Sequence, residues 1–157
     1  MPFFPLLFRP KESYKECPRA FGCNRDKGAR LHAGCDLYAP VGSEIIAVED
    51  GEIIRPLYPF YLDTFALEVK HPSGIIRYGE TQRRLPKNWK VGDKVRAGEV
   101  LGYVGRLTGL SISMVHLELY TGNMAGPLTQ RAANKHQRRA DLINPTSFLD
   151  SCELWKK

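Results

Sequence analysis

The sequence predicts a mainly β fold: a single domain of curved antiparallel sheets. Three observations point there. The 157 residues include 14 glycines and 11 prolines, a punctuation that favours many short strands and turns over long helices. The segments 65–70 and 113–120 alternate apolar and polar side chains with a period of two, the mark of a strand with one face on a core. No stretch alternates strands with long helical patterns, which argues against a parallel doubly wound sheet. With 43% hydrophobic residues, the chain can build a core without a metal or disulfide to hold it. Its length is that of one domain.

Taken in order, residues 1–27 read as an N-terminal strap, 28–150 as the main domain and 151–157 as a tail. Pro10, Pro18 and Gly22 forbid a long regular element in the strap, and Phe3, Phe4, Leu6, Leu7 and Phe8 give it apolar contacts for the domain. Residues 44–48 read as a strand that turns at Asp50-Gly51, a hairpin signal, and returns through 52–55. Residues 56–63 read as a loop carrying Tyr58, Phe60 and Tyr61. In 65–70, Phe65, Leu67 and Val69 share one face and Glu68 and Lys70 the other. A turn at 71–74 leads to a strand over 75–80. Short apolar pieces divided by glycine turns follow over 91–105, and a further strand runs over 111–120. The basic segment 127–142, with Arg131, Lys135, Arg138 and Arg139, reads as a loop or a short helix.

The net charge of +6 suits an anionic partner: nucleic acid, an acidic membrane or an anionic wall polymer. A nucleic-acid partner has only this charge behind it, because no stacking-aromatic or recognition-helix pattern is present. No apolar run approaches a membrane span. Met1 to Pro10 lacks a basic leader and a small-residue cleavage site, so it does not read as a secretory signal. The four cysteines, Cys17, Cys23, Cys35 and Cys152, permit two disulfides in three connectivities, or four buried thiols. At least one disulfide is expected if the protein works outside the cytoplasm.

The chemistry concentrates in two stretches. His32 and Asp36 stand four residues apart with Gly34 between them. Imidazole and carboxylate both suit zinc. Downstream, the strand over 113–120 puts Val115, Leu117 and Leu119 on one face and Met114, His116, Glu118 and Tyr120 on the other. His116 therefore offers a third ligand. Two imidazoles and one carboxylate leave the fourth zinc position open, the arrangement of a catalytic site.

The segment Arg30 to Gly42, with its H-x-x-x-D pattern, resembles the corresponding segment of the lysostaphin/LytM-type zinc endopeptidases. Val91 to Gly105 resembles the glycine-punctuated hairpin of that fold, His116-Leu117-Glu118 the end of its H-x-H strand motif, and Asn144 to Leu149 its domain close. The resemblance covers roughly residues 28–150. It implies antiparallel sheets forming a groove, one Zn2+ held by His32, Asp36 and His116, and cleavage of peptide crosslinks in bacterial peptidoglycan, with the peptide stems as partner.

Two positions depart from the pattern: Met114 stands where the H-x-H motif has its first histidine, and Glu80 ends the strand that usually ends in histidine. Glu80 is then the expected general base. Glu118 is expected to orient a ligand histidine or stand next in line as base, and Tyr78 and Tyr120 either to donate to the developing oxyanion or to serve as aromatic packing. Met114 is expected to line the groove, and Cys35, pointing away from Asp36, to have a structural or disulfide role rather than to bind metal. Action in the periplasm or cell wall without a standard signal implies a secreted antibacterial effector, which would need an immunity protein, or a phage lysis enzyme. The alternative is a degenerate member that activates another wall hydrolase, using the face of Met114, His116, Glu118 and Tyr120 for docking.

Overall fold

The computed structural model describes residues 1–156. Among them, eleven strands and one α-helix follow in order: β1 (Asn24–Arg25), β2 (Arg30–Leu31), β3 (Cys35–Tyr38), β4 (Glu44–Ile46), β5 (Gly51–Pro59), β6 (Phe65–His71), β7 (Gly74–Thr81), β8 (Lys94–Val95), β9 (Val100–Tyr103), β10 (Met114–Tyr120), β11 (Leu142–Ile143) and α1 (Thr146–Ser151). The main sheet runs β11-β10-β7-β6-β5-β8, with β3 also paired to β10. Every pairing is antiparallel. β4 with β9, and β1 with β2, form two small sheets. The fold is mainly β, as the alternation and punctuation predict.

One face of the main sheet makes the core. Val115, Leu117 and Leu119 of β10 meet Leu67 and Val69 of β6, Ile76 and Tyr78 of β7, and Ile45 and Leu101 of the β4–β9 sheet. Full burial of each such aliphatic side chain contributes about 1.5–3 kcal/mol. Phe4 and Leu6 join this core from the N-terminal segment, as does Leu149 of α1. Phe3 pairs with Glu153 in a parallel bridge, so the two ends of the chain are tied to each other.

Two expectations about local structure are corrected, and one open alternative is decided. Residues 44–46 pair with β9, not with the strand that follows Gly51. Asp50 does not turn a hairpin: its Oδ1 accepts the Ala97 N–H at 2.8 Å, and Ala47 is bonded to Glu99 and Gly98. These bonds carry the chain from one sheet to the other. Gly51 answers to crowding rather than to a turn, since a Cβ there would lie 2.5 Å from the Lys70 carbonyl oxygen. The 56–63 loop is shorter than its prolines suggest, because β5 continues to Pro59. Pro56 falls where the β5–β6 register slips between Arg55 and Tyr58, a bulge that needs no N–H from it. Of the two alternatives for 127–142, loop or short helix, the loop is what forms: a series of turns braced by a Thr129–Arg138 bridge.

Cys17 and Cys23 are joined in a disulfide, whereas Cys35 and Cys152 are buried thiols. Non-reducing mass mapping should return Cys17–Cys23 as the linked pair, with the other two alkylated only after unfolding. A link to Cys35 or Cys152 would contradict this arrangement.

Candidate metal centre

The register of β10 builds the site. Asp36 of β3 lies directly across from His116, and Gly79 of β7 lies across from it on the other side. Gly34 lets the chain between His32 and Asp36 press onto β10, because a Cβ there would overlap the Leu117 carbonyl oxygen. His32 enters from the end of β2. Its Nε2 is 3.1 Å from Asp36 Oδ1, and His116 Nδ1 is 2.9 Å from the same oxygen. The structure thus brings His32, Asp36 and His116 together, with one donor atom of each within 4.8 Å of the others. All three are buried.

The outer nitrogen of each imidazole settles which lone pair faces inward. His32 Nδ1 is 2.8 Å from the Ala20 carbonyl oxygen. A carbonyl only accepts, so Nδ1 carries the proton and Nε2 presents its lone pair to the site. His116 Nε2 is 2.7 Å from Glu118 Oε2, and this carboxylate is ionised. Burial opposes its charge, but Arg77, Arg138 and His116 hold it well below the usual range. His116 Nε2 therefore donates, and Nδ1 turns its lone pair to Asp36. Two lone pairs and a carboxylate oxygen converge, an arrangement that asks for a cation between them. Without a metal, a proton serves: burial disfavours charged His116, yet its bonds to Asp36 and Glu118 raise it to about 10. The donor set fits a divalent metal with mixed imidazole and carboxylate preference.

Glu118 sits in a buried charge row that the sequence reading missed. Glu68, Arg77 and Glu118 are cross-strand neighbours on β6, β7 and β10. Arg77 Nη1 donates to Glu118 Oε1 at 3.2 Å, and Arg77 Nε donates to Tyr58 Oη at 2.8 Å. Tyr58 Oη donates to Glu68 Oε2 at 2.5 Å, and Tyr120 Oη to Glu118 Oε1 at 2.5 Å. From the 127–142 segment, Arg138 Nη2 reaches Glu118 Oε2 at 3.0 Å. Glu118 is thus a holder of His116 with its oxygens fully engaged, not a spare base. Charges at matching positions of neighbouring strands were the signal that could have revealed this row.

The two tyrosines do not face the metal centre as donors. Tyr120 spends its hydroxyl on Glu118. Tyr78 is a correction: it points into the core, its Oη donating to His71 Nε2 at 2.9 Å and accepting the Val48 N–H at 3.2 Å. Strand parity would place Tyr78 and Glu80 on one face, but a bulge separates them. Phe65 pairs with Thr81 and Ala66 with Gly79, so Glu80 is the extra residue, with a left-handed φ of 64°. The bulge turns its carboxyl to the metal side.

There Glu80 is 7% exposed, and its Oε2 is buried without a hydrogen-bond partner. Burial pushes its pKa up to about 7, with His116 and Arg25 pulling the other way. Glu80, His32, Asp36, His116, Met114, Phe60 and Arg25 line one cleft of about 990 Å³. Arg25, also unforeseen, lies with Nη2 3.7 Å from Asp36 Oδ2.

Fold and site together define a class: an antiparallel β groove with a His–Asp–His cluster on its floor. Residues 30–128 match peptidase family M23, and the chain belongs to that family. It is 26% identical over 121 residues to the glycyl-glycine endopeptidase ALE-1 of Staphylococcus capitis, covering 76% of this chain and 32% of that protein. It is 32% identical over 83 residues to the peptidoglycan DD-endopeptidase ShyC of Vibrio cholerae serotype O1, covering 51% and 18%. Among solved structures it is similar in fold to the catalytic domain of the antimicrobial peptidase lysostaphin from Staphylococcus simulans, with a TM-score of 0.61, 20% identity and coverage of 83% and 89%. The chain spans about a third or less of the length of the curated relatives it matches.

Proposed function

We propose that the protein is a zinc-dependent endopeptidase that cleaves peptide crosslinks of bacterial peptidoglycan, acting in the periplasm or cell wall. The observation that carries this reading is the converging set of His32 Nε2, Asp36 Oδ1 and His116 Nδ1, with an unpartnered carboxylate, Glu80, in the same cleft. His32, Asp36 and His116 would hold the metal. Bound zinc supplies a Lewis acid for the scissile carbonyl and lowers the pKa of water to about 7. Glu80 Oε2 takes the proton from the attacking water and returns it to the leaving amine. Its lack of any other partner leaves it free for both transfers. Glu118 and the Ala20 carbonyl keep the two imidazoles in the required tautomers. The Cys17–Cys23 disulfide suits an oxidising compartment, and the charge of +6 suits an anionic wall.

Against the activator alternative stands the burial of its docking face: Glu118 and Tyr120 are 0% exposed. Digestion of purified sacculi, with products read by mass spectrometry, tests the proposal. Peptide release that stops with chelator and returns with zinc is expected; no release from any sacculus would reject it. The metal site has its own check. Purified protein should carry close to one zinc per chain and His116→Ala much less, and equal content in the two would remove the site.

A further inference from the structure

Residues 17–23 contain no strand or helix, yet three consecutive carbonyls in this segment each hold a different part of the candidate metal centre. Pro18 O accepts from Arg25 Nη2 at 2.6 Å. Arg19 O accepts the Asp36 N–H at 2.9 Å. Ala20 O accepts from His32 Nδ1 at 2.8 Å. The end of the segment grips His32 again: Cys23 O accepts the His32 N–H at 2.8 Å, and the Gly22 N–H donates to His32 O at 2.9 Å. Two ligand residues and the neighbouring arginine thus hang on one short loop. One backbone bond closes within the loop, Cys23 N–H to Ala20 O at 3.4 Å, and the Arg19 and Ala20 N–H groups donate to Glu16 O just before it at 2.9 Å. The covalent closure is the Cys17–Cys23 disulfide.

We propose that the disulfide-closed loop 17–23 is the positioning platform of the metal centre, so that metal affinity depends on the oxidation state of Cys17 and Cys23. The inference rests on the reading of His32, Asp36 and His116 as metal ligands. A carbonyl that accepts from the outer nitrogen of a ligand histidine fixes its tautomer and ring plane, and loss of such a partner costs about 10–100-fold in metal affinity. Opening the ring frees Pro18, Arg19 and Ala20 to sample other conformations, and all three holds loosen together.

Cys17 is exposed and can be attacked by a thiol reductant. A dithiol delivers two electrons and two protons. The Sγ–Sγ bond breaks, Cys17 and Cys23 become thiols, and the dithiol closes to its own disulfide. The buried thiols Cys35 and Cys152 take no part. A chain in a reducing compartment would then hold its metal weakly and acquire full affinity on oxidation.

The test measures zinc affinity of the whole chain by competition with a chromogenic chelator, in oxidised protein, in the same protein after a phosphine reductant, and in Cys17→Ser/Cys23→Ser. Cobalt(II) spectra of the oxidised protein and the double variant report the ligand geometry. The expected result is a 10–100-fold weaker zinc constant in the reduced and variant proteins, with altered cobalt bands, in samples that circular dichroism shows to be folded at the assay temperature. A loop of merely structural value would lower the melting temperature but leave the zinc constant and the cobalt bands of the folded protein unchanged, and that outcome overturns the proposal. If the double variant does not fold, the reduced wild type alone decides. Oxidised wild type that binds no more zinc than His116→Ala would reject the ligand assignment and this inference with it; strong oxidised binding that survives reduction rejects only the inference.

Discussion

Replacing Glu80 with glutamine is expected to cut turnover on sacculi by about 10²–10⁴-fold, the usual worth of general acid–base catalysis. The amide keeps the shape of the side chain but cannot accept the proton. Zinc content should hardly change, since Glu80 is not one of the three converging residues proposed to hold the metal. The stability sign follows from the direction of the pKa. Burial lifts Glu80 from 4.5 in the unfolded chain to about 7 in the fold. The folded state therefore binds the proton more tightly, and stability is lost as pH rises between those values. Glutamine removes that loss, so the melting temperature at neutral pH should hold or rise slightly. The wild-type rate should fall on the acid side as Glu80 is protonated, and the variant should lack that limb. Wild-type turnover in Glu80→Gln would exclude this residue as the base.

Arg77→Met is expected to be the most destabilising single change in the sheet. Arg77 is 1% exposed and stands between Glu68 and Glu118, which are 5% and 0% exposed. Methionine fills the space but leaves two buried carboxylates without their shared cation. Breaking a buried ion pair by removing one partner costs about 3–5 kcal/mol. In a domain of this size that corresponds to a melting temperature about 6–20 °C lower. His116 would also lose the fixed acceptor on Nε2, so zinc affinity should weaken beyond the stability loss. A double change, Arg77→Met with Glu68→Gln, should recover part of the melting temperature because it withdraws one of the stranded charges. A drop of less than about 1 kcal/mol in Arg77→Met would mean that Arg138 and Tyr120 suffice to hold Glu118.

The strands were legible wherever one face is apolar and the other polar. The alternation over 113–120 puts Val115, Leu117 and Leu119 in the core, where they lie, and this places His116 on the opposite face. What the alternation does not reveal is that the opposite face is buried as well. Glu68, Arg77 and Glu118 look solvated one strand at a time and become a row only when three strands stand in register. Asp50-Gly51 misled for a related reason. The dipeptide has turn chemistry, but the tertiary bonds to residues 97–99 decide which sheet each flank joins. Tyr78 and Glu80 share parity in the sequence and part company at a bulge, which leaves no periodic trace. The nearness of His32 and Asp36 to His116 was accessible through spacing and family resemblance together. The roles of Pro18, Arg19 and Ala20 were not, because they act through backbone oxygens that every residue possesses.

The bulge at Glu80 also has a bearing on how such a site can arise or disappear. Thr81 pairs with Phe65 and Gly79 with Ala66, so the ladder on either side would close without a gap if Glu80 were deleted. The proposed base is in effect a one-residue insertion into a strand whose neighbours need nothing from it beyond its carbonyl, which accepts the Gly105 N–H at 3.0 Å. Reactivity here is a matter of chain length as much as residue identity. A single codon gained or lost at this point would switch a carboxylate into or out of the cleft while the apolar phase of Ile76 and Tyr78 stays as it is.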